Sequence, residues 1–276
     1  MDKNEEKLYE AASYDPPAYL DRDQSAPAYQ NPRFNHMTTD STTLVAATTR
    51  FPPAFNCYGQ WKWKQLYSLG PSSDDKLFTV SFDNKLFSKK QLLFLHSGPS
   101  DKGPVIASLS SKTLSSHYRA TITLRGEDDK EQEIAFERPE NVSWTQGEVR
   151  AFRIEVRKGV VEEFQWRSSH GDEIKELAGH SYGWKLVRMK TPPTGQKSFG
   201  YSSDGKEVVA VLAHSTSWSM TKSYNFGFLG TGLTGTLGED WETAAVISGF
   251  SLWHVAAING SATSASSAAA AATVAS

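Results

Sequence analysis

The chain has 276 residues, with 38% hydrophobic and 22% charged residues and a formal net charge of −2 at pH 7. This is the composition of a globular protein, and the nearly balanced charge excludes a strong overall attraction to nucleic acid or to an anionic membrane. The single cysteine, Cys57, excludes an intrachain disulfide framework and a cysteine-based metal site.

Residues 1–58 are predicted to form a disordered arm. They are rich in Pro, Tyr, Ser, Thr and Ala and show no sustained apolar period, so they cannot bury enough surface to offset the entropy lost on ordering. The first ten residues, MDKNEEKLYE, lack the apolar stretch of a signal peptide. We therefore expect a cytoplasmic protein, with peripheral association at a membrane and a nuclear location as open alternatives.

The predicted arm contains a PPxY motif, formed by Pro16, Pro17 and Tyr19. Paired prolines favour a polyproline II backbone, which docks into the aromatic groove of a WW domain with little loss of entropy. The motif predicts a WW-domain partner such as a ubiquitin ligase, and a chance match is the alternative. Two segments, Ala26–Tyr29 (APAY) and Phe51–Phe55 (FPPAF), are degraded copies that could supply weak additional contacts.

The region 59–258 is predicted to be one β-rich domain. Short runs of aromatic and branched residues alternate with turn signals, and Phe152, Ile154 and Val156 alternate with charged residues in the manner of an antiparallel strand. Val208–Ala213 is apolar at every position, so we expect it to be covered on both faces. The predicted strands are Lys64–Leu69, Leu77–Phe82, Leu92–His96, Ile106–Leu109, Tyr118–Leu124, Glu133–Phe136, Ala151–Val156, Val161–Arg167, Gly183–Lys190, Glu207–Ala213 and Tyr224–Leu229.

The segment Thr243–Ile258 is predicted to be a helix that is buried on all sides. It has no charged face, and its only ionisable residue is His254, which we expect to be a neutral core histidine. Because strands precede it, we expect a closed antiparallel sheet wrapped around this helix. A membrane span would need about 20 apolar residues, so none is expected. Residues 259–276 form a low-complexity Ser/Ala tail.

No set of residues predicts a reaction, a metal site or a cofactor. Gly230–Gly235 reads GTGLTG, but no acidic residue follows Glu242, so we interpret it as the loop leading into the helix rather than as a dinucleotide fingerprint. The segment Ser168–Glu173 mixes Ser, His and Asp in a turn-like sequence. We expect a non-enzymatic protein, with a hydrolase that uses His170 and Asp172, or His180, as the alternative.

Three basic residues on one predicted strand suggest an anion site. Lys185, Arg188 and Lys190 lie close together in the sequence, and Arg188 and Lys190 share a face because alternate residues do. With Arg153 or Arg167 from neighbouring strands, they could hold an anionic phospholipid head group. A solvated sheet face is the alternative.

Four blocks of the chain resemble proteins of the tubby C-terminal-like superfamily. They are FQWRSSHGDE (164–173), GWKLVR (183–188), SSDGKEVVAV (202–211) and GEDWETAAVISGFSLW (238–253), and they look like a group of uncharacterised filamentous-fungal proteins with this domain. The superfamily includes tubby proteins, plant LURP-one-related proteins and phospholipid scramblases. The resemblance covers residues 60–258.

The resemblance implies a closed barrel of about twelve strands around the C-terminal helix. It implies less about function, because tubby domains bind phosphoinositides through basic residues whose positions do not align residue by residue here. The lone cysteine also departs from the cysteine cluster of scramblases. The sequence therefore favours an adaptor, with the barrel as a platform for lipid or protein and the PPxY arm as a recruiting segment. A phosphoinositide-binding or scramblase-like membrane-associated protein remains the alternative.

Overall fold

The computed structural model describes residues 50–61, 65–83, 91–111, 119–126, 130–140, 142, 147–178, 182–190, 200–214 and 222–274. Twelve strands, two α-helices and one short 3-10 helix lie within them. The helices are α1 (Asp172–Ala178) and α2 (Glu239–Val274), and the 3-10 helix is Gly230–Leu233. The strands are β1 (Ala54–Trp61), β2 (Gln65–Gly70), β3 (Phe78–Asp83), β4 (Gln91–Ser97), β5 (Val105–Ser111), β6 (Ala120–Arg125), β7 (Glu131–Phe136), β8 (Val149–Arg157), β9 (Val160–Ser169), β10 (Gly183–Arg188), β11 (Val208–His214) and β12 (Lys222–Phe228).

All twelve strands belong to one antiparallel sheet that curls into a nearly closed barrel. The strand order is β7-β6-β5-β4-β3-β2-β1-β12-β11-β10-β9-β8, so β7 and β8 are the two edges. Glu137, next to β7, and Ala151 of β8 exchange both backbone hydrogen bonds, at N···O distances of 3.1 and 2.8 Å. This bridge joins the edges, and the predicted barrel of about twelve strands around a C-terminal helix is confirmed.

The barrel interior is filled by helix α2. Trp241, Ala245, Ile247 and Phe250 are all buried, although they point in different directions from the helix axis. Trp166 of β9 donates a hydrogen bond from Nε1 to Ser248 Oγ at 2.9 Å, which joins the wall to the helix. From Trp241 to His254 every side chain of the helix is buried, because strands or loops surround this segment on every side.

Helix α2 begins earlier and ends later than predicted. Its first turn carries Glu239, Asp240 and Glu242, whose negative charges interact favourably with the positive end of the helix dipole. It continues through the predicted Ser/Ala tail to Val274 because alanine has the highest intrinsic helix propensity. The side chains from residue 260 onward lie outside the described part of the chain.

The first strand corrects the predicted boundary of the arm. β1 pairs with both β2 and β12, and it starts at Ala54 rather than after residue 58. Phe51 and Phe55 are buried, and Phe51 stacks on Phe78 with ring centroids 4.3 Å apart. Sequence periodicity missed this strand because Asn56, Gly59 and other weak strand formers interrupt it. Residues 1–49 of the predicted arm lie outside the described residues.

A small second layer covers one part of the outer surface. Ile174 and Leu177 of α1 pack on the outward side chains of β11, which include Val208 and Val211. The alternate residues of β11, such as Leu212, face the barrel interior. The prediction that Val208–Ala213 is covered on both faces is therefore confirmed.

Candidate functional site

The line where the two edge strands meet, from Glu131 to Glu137 on one side and from Ala151 to Arg157 on the other, is the seam. Within the described residues, the bridge at Glu137 and Ala151 is the only strand pairing across it. A cavity of about 650 Å³, the helix-end cavity, opens at the other end of the seam. It lies between the β6–β7 turn and the β8–β9 hairpin, beside the first turn of α2.

The helix-end cavity has an apolar lining and a charged rim. Leu124, Val156 and Leu237 are buried side chains in its wall. The charged residues around them carry both signs, and they are Arg50, Lys130, Glu131, Glu155, Arg157, Lys158, Glu239 and Asp240. Several of these carboxylates already have partners: Glu239 lies 2.9 Å from Arg50 and Glu131 lies 3.1 Å from Arg125.

A second cavity, the seam groove, lies near the bridge and has a volume of about 540 Å³. Its lining contains the carboxylates of Glu133, Glu137, Glu140 and Glu163 and the guanidinium groups of Arg138 and Arg153. Four negative and two positive groups give a formal charge of −2. Arg153 is held by Glu163 at 2.8 Å, and Arg138 donates to the carbonyl of Gly147 at 3.0 Å. Glu137 is also paired with Arg119, which lies outside the lining, at 3.0 Å. With this partner the formal charge of the groove is −1, which favours cationic groups only weakly.

Arg188, a predicted anion-binding residue, is held by acidic side chains. Its Nε and Nη2 donate to the two carboxylate oxygens of Glu162 at 2.6 and 2.9 Å, and its Nη1 lies 3.7 Å from Glu207. The hydrogen bonds from Arg188 lower the pKa of Glu162 and raise the pKa of the arginine, against the opposing effect of burial. The positive charge of Arg188 is therefore neutralised within the protein.

The structure does not gather the three predicted basic residues into one surface. Lys185 lies between the inward-facing Trp184 and Leu186, so it points to the outer face, opposite to Arg188. Lys190 is 60% exposed, and its Nζ lies 3.7 Å from Glu162. Arg188 and Lys190 thus flank one carboxylate, and Lys185 is separate from both.

The two arginines expected to enlarge the anion site also pair with carboxylates. Arg153 binds Glu163, and Arg167 contacts both carboxylate oxygens of Asp204 at 3.0 and 3.1 Å. Sequence periodicity placed these residues on strands but could not identify their acidic partners, which come from other strands and from the turn before β11.

The glycine loop before α2 binds a carboxylate of the protein itself. The backbone N–H of Thr231 donates to Glu207 Oε1 at 2.7 Å, and its hydroxyl donates to Oε2 at 3.0 Å. A Cβ on Gly230 would lie 2.5 Å from the same carboxylate, and its φ of +50° also favours glycine. The loop therefore positions the start of the helix, as predicted from the sequence.

The histidines singled out in the sequence have separate environments. His170 and Asp172 are exposed; Asp172 begins α1, and the ring of His170 lies 5.7 Å from that of Tyr182. His180 lies outside the described residues. His254 is buried in the core, its ring 4.5 Å from that of Phe82, and burial lowers its pKa to about 4. The prediction of a neutral core histidine is confirmed.

The proline motifs of the predicted arm have different outcomes. Pro16, Pro17 and Tyr19 lie outside the described residues, so the PPxY motif stays a prediction. Ala26–Tyr29 also lies outside them. The suggested second contact at Phe51–Phe55 is wrong, because both of its aromatic rings are buried in the barrel core. Binding of that segment to a partner would require β1 to leave the sheet.

The described residues contain no group of three or more His, Cys, Asp or Glu that could hold a metal ion. Within the same part of the chain, no helix has the length and apolar character needed to cross a membrane. Models of known protein families, curated proteins and solved structures give no match to this chain.

Proposed function

We propose that this protein is a non-enzymatic adaptor. The barrel is a rigid platform, and the PPxY motif at Pro16–Tyr19 recruits a WW-domain partner such as a ubiquitin ligase. The observation that carries this proposal is the filling of the barrel interior by α2 and its large side chains, including Trp241 and Phe250. A barrel filled in this way supports binding at its outer surface and edges rather than chemistry in an internal pocket.

The attachment of the chain at Arg50 and Phe51 fits the recruiting role. The backbone N–H groups of both residues donate to Glu242 Oε2, at 2.9 and 3.4 Å, which fastens the first described residues to helix α2. Tyr19 precedes Arg50 by 31 positions (50 minus 19). A segment of that length spans at most about 100 Å when extended, so a partner could bind the motif without touching the barrel.

The recruiting role is tested by titrating the full chain into a labelled WW domain of the PPxY-binding class. Tyr19→Ala removes the ring that anchors the motif, and we expect it to weaken binding at least tenfold. Tyr29→Ala is the matched control because it removes a tyrosine from the related segment APAY, and we expect its affinity to stay within twofold of the unmodified chain. Equal binding by the Tyr19→Ala chain would contradict the proposal.

We also propose that the domain is of the tubby type and that the protein works in the cytoplasm. The twelve-stranded barrel around a C-terminal helix supports the first statement. Peripheral binding to anionic phospholipid is the second candidate function. The exposure of Lys190 favours it, whereas the ion pair of Arg188 with Glu162 weakens it.

Flotation of the full chain with vesicles that do or do not contain phosphoinositides tests the second candidate. If Lys190 contacts the head group, Lys190→Glu abolishes the lipid-dependent flotation. The matched control is Lys175→Glu, which changes an exposed lysine on α1. Unchanged flotation of the Lys190→Glu variant would exclude this lysine as the lipid site.

A further inference from the structure

We propose that the seam binds an extended peptide, which adds to the edge of β7 as a strand and places basic side chains beside Glu131 and Glu133. This inference goes beyond the adaptor proposal and does not depend on the PPxY motif. It rests on three features of the seam: the backbone groups that face the gap, the charges along the edge and the apolar lining of the helix-end cavity.

The alternation of backbone hydrogen bonds shows which groups face the gap. Gly126 N–H donates to the carbonyl of Lys130, so even-numbered residues of β7 bond to β6. Glu137 bonds to Ala151 instead, which fixes the odd-numbered residues as those directed at β8. The backbone groups of Glu131, Glu133 and Ala135 therefore point into the seam, where the described residues supply no strand partner.

On β8, the odd-numbered residues also direct their backbone groups at the seam, as far as the β-bulge after Glu155. Ser168 N–H donates to the carbonyl of Glu148, so even-numbered residues of β8 bond to β9. Arg153 and Glu155 consequently direct their backbone groups at β7, and the register shifts after Glu155. Beyond the bridge no strand pairing joins the two edges among the described residues, and the helix-end cavity lies between Glu131 and Arg157 at their far ends. An extended peptide can pair with that part of the β7 edge through its backbone.

The charges along the edge of β7 favour a basic peptide. Glu131, Glu133 and Glu137 share the outward face of β7. Glu131 is paired with Arg125 at 3.1 Å and Glu137 with Arg119 at 3.0 Å. Both ion pairs are exposed, and exposed pairs contribute little to stability, so basic side chains of a peptide can compete for these carboxylates. Opposite charges on directly facing residues of neighbouring strands stabilise the pair, whereas like charges destabilise it. Lysine or arginine at outward positions of the peptide would therefore strengthen its pairing with β7.

The same charges argue against a second copy of this chain as the occupant. If β7 paired antiparallel with the β7 of another copy through the same gap-facing residues, Glu131 or Glu133 would face a glutamate in every register. Edge strands that carry such charges are protected against self-association. A partner with the opposite charge avoids this repulsion.

The inward positions of the peptide require apolar side chains. In a strand, alternate residues point to opposite faces, so the residues between the basic ones would face the helix-end cavity. Its wall offers Val156 and Leu237, which are almost fully buried. Arg157 lies on the rim of that cavity and would repel a basic residue beside Glu131. The fitting peptide alternates basic and apolar residues, and Arg157 limits its affinity.

Fluorescence polarisation of a labelled, end-blocked heptapeptide that alternates lysine and valine tests the proposal on the full chain. We expect saturable binding, and no binding of the matched peptide that alternates glutamate and valine. A lysine–valine peptide with proline at its central position should bind at least fivefold more weakly, because it lacks a backbone donor. Equal binding of the lysine and glutamate peptides, or no binding of the lysine peptide, would overturn the proposal.

Substitutions locate the binding at the seam. Glu131→Gln/Glu133→Gln should weaken binding of the lysine–valine peptide at least fivefold, and Arg157→Glu should strengthen it. Asp74→Asn is the matched control, because this exposed residue lies in the loop between β2 and β3. We expect it to bind as the unmodified chain does. Unchanged affinity of the double glutamine variant would overturn the assignment to β7.

Amide hydrogen exchange, measured by NMR, distinguishes an open seam from one that is already filled. In the free protein the amides of Glu133 and Ala135 should exchange rapidly, whereas that of Ile134, which bonds to β6, should be protected. The lysine–valine peptide should slow the exchange of Glu133 and Ala135. If both amides are already protected in the free protein, another part of this chain or a second copy occupies the seam, and the proposal is wrong.

Discussion

The wall formed by β9–β12 and the seam between β7 and β8 belong to one barrel but are stabilised in different ways. In the wall every strand is paired on both sides, β11 is buried on both faces, and Arg188 joins Glu162 in a nearly buried ion pair. At the seam the two edges share one bridge, and charged side chains cover their outward faces.

This difference predicts that the wall stabilises the fold and that the seam serves binding. The wall packs directly on α2, as the hydrogen bond between Trp166 and Ser248 shows, so substitutions there should affect the stability of the whole barrel. The seam keeps Ile134 and Ile154 buried although the outward side chains on the same strands are exposed. Substitutions of its outward residues should affect binding much more than folding.

The largest expected effect is that of Trp241→Ala. The indole of Trp241 is fully buried and lies 5.5 Å from the ring of Phe164 and 5.8 Å from that of Phe228, so its loss leaves a cavity between α2 and the wall. We expect the free energy of unfolding to fall by about 3–5 kcal/mol, measured by urea denaturation.

Trp241→Phe is the matched control. The indole Nε1 is buried without a hydrogen-bond partner among the described residues, so replacing it breaks no hydrogen bond and the loss should be clearly smaller. A loss below 1 kcal/mol for Trp241→Ala would mean that contact with the wall contributes little to stability.

The next largest effect is expected for Arg188→Met. The side chain of Glu162 is 4% exposed, so removing Arg188 leaves a nearly buried carboxylate whose remaining partner is the exposed Lys190, 3.7 Å away. We expect a loss of about 3 kcal/mol in urea denaturation at pH 7. The double variant Arg188→Met/Glu162→Leu should recover most of this loss, and a double variant as unstable as the single one would contradict this explanation.

The same ion pair predicts a pH dependence. Because the pKa of Glu162 is lowered in the folded protein, its contribution to stability is complete above the ordinary value of 4.5 and is lost as the pH falls through the folded pKa. The stability difference between the unmodified chain and the double variant should therefore shift in favour of the variant below about pH 4.5. Urea denaturation at pH 7 and at decreasing pH measures this shift.

The smallest effect is expected at the seam. Glu133→Gln removes one exposed charge from the edge of β7 and no packed atom, so the free energy of unfolding should change by less than about 0.5 kcal/mol. Urea denaturation of this variant beside Trp241→Ala compares the two regions directly. A loss of 2 kcal/mol or more at Glu133 would show that the seam also supports the fold.

Local patterns in the sequence were sufficient to predict most of the barrel. Short runs of aromatic and branched residues between turn signals located eleven strands, and the absence of a charged face identified α2 as a central helix. β1 was missed because its pattern is weak and because its place in the sheet comes from pairing with β2 and β12. β2 follows β1 directly in the sequence, whereas β12 is distant from it, and both pairings are needed to make Ala54–Trp61 a strand.

The candidate site could be predicted only in part. Lys185, Arg188 and Lys190 were located on or beside β10, yet the inward direction of Arg188 and its pairing with Glu162 depend on how β9 and β10 align. One local sequence pattern indicates the seam. The polar segment Glu131–Glu133 stands at the start of a strand, and charged residues at such a position are typical of an edge strand. That β7 has no strand partner on this side among the described residues follows from the arrangement of the whole barrel.

The pairing of β1 with β12 also has a consequence for synthesis of the chain. Ala54 lies opposite Gly227, so the first strand cannot complete its hydrogen bonding until β12 has left the ribosome. Helix α2, which fills the interior, emerges later still. During translation the earlier strands must therefore remain without their final core, which is the stage at which a β-rich chain is most exposed to aggregation and to capture by chaperones.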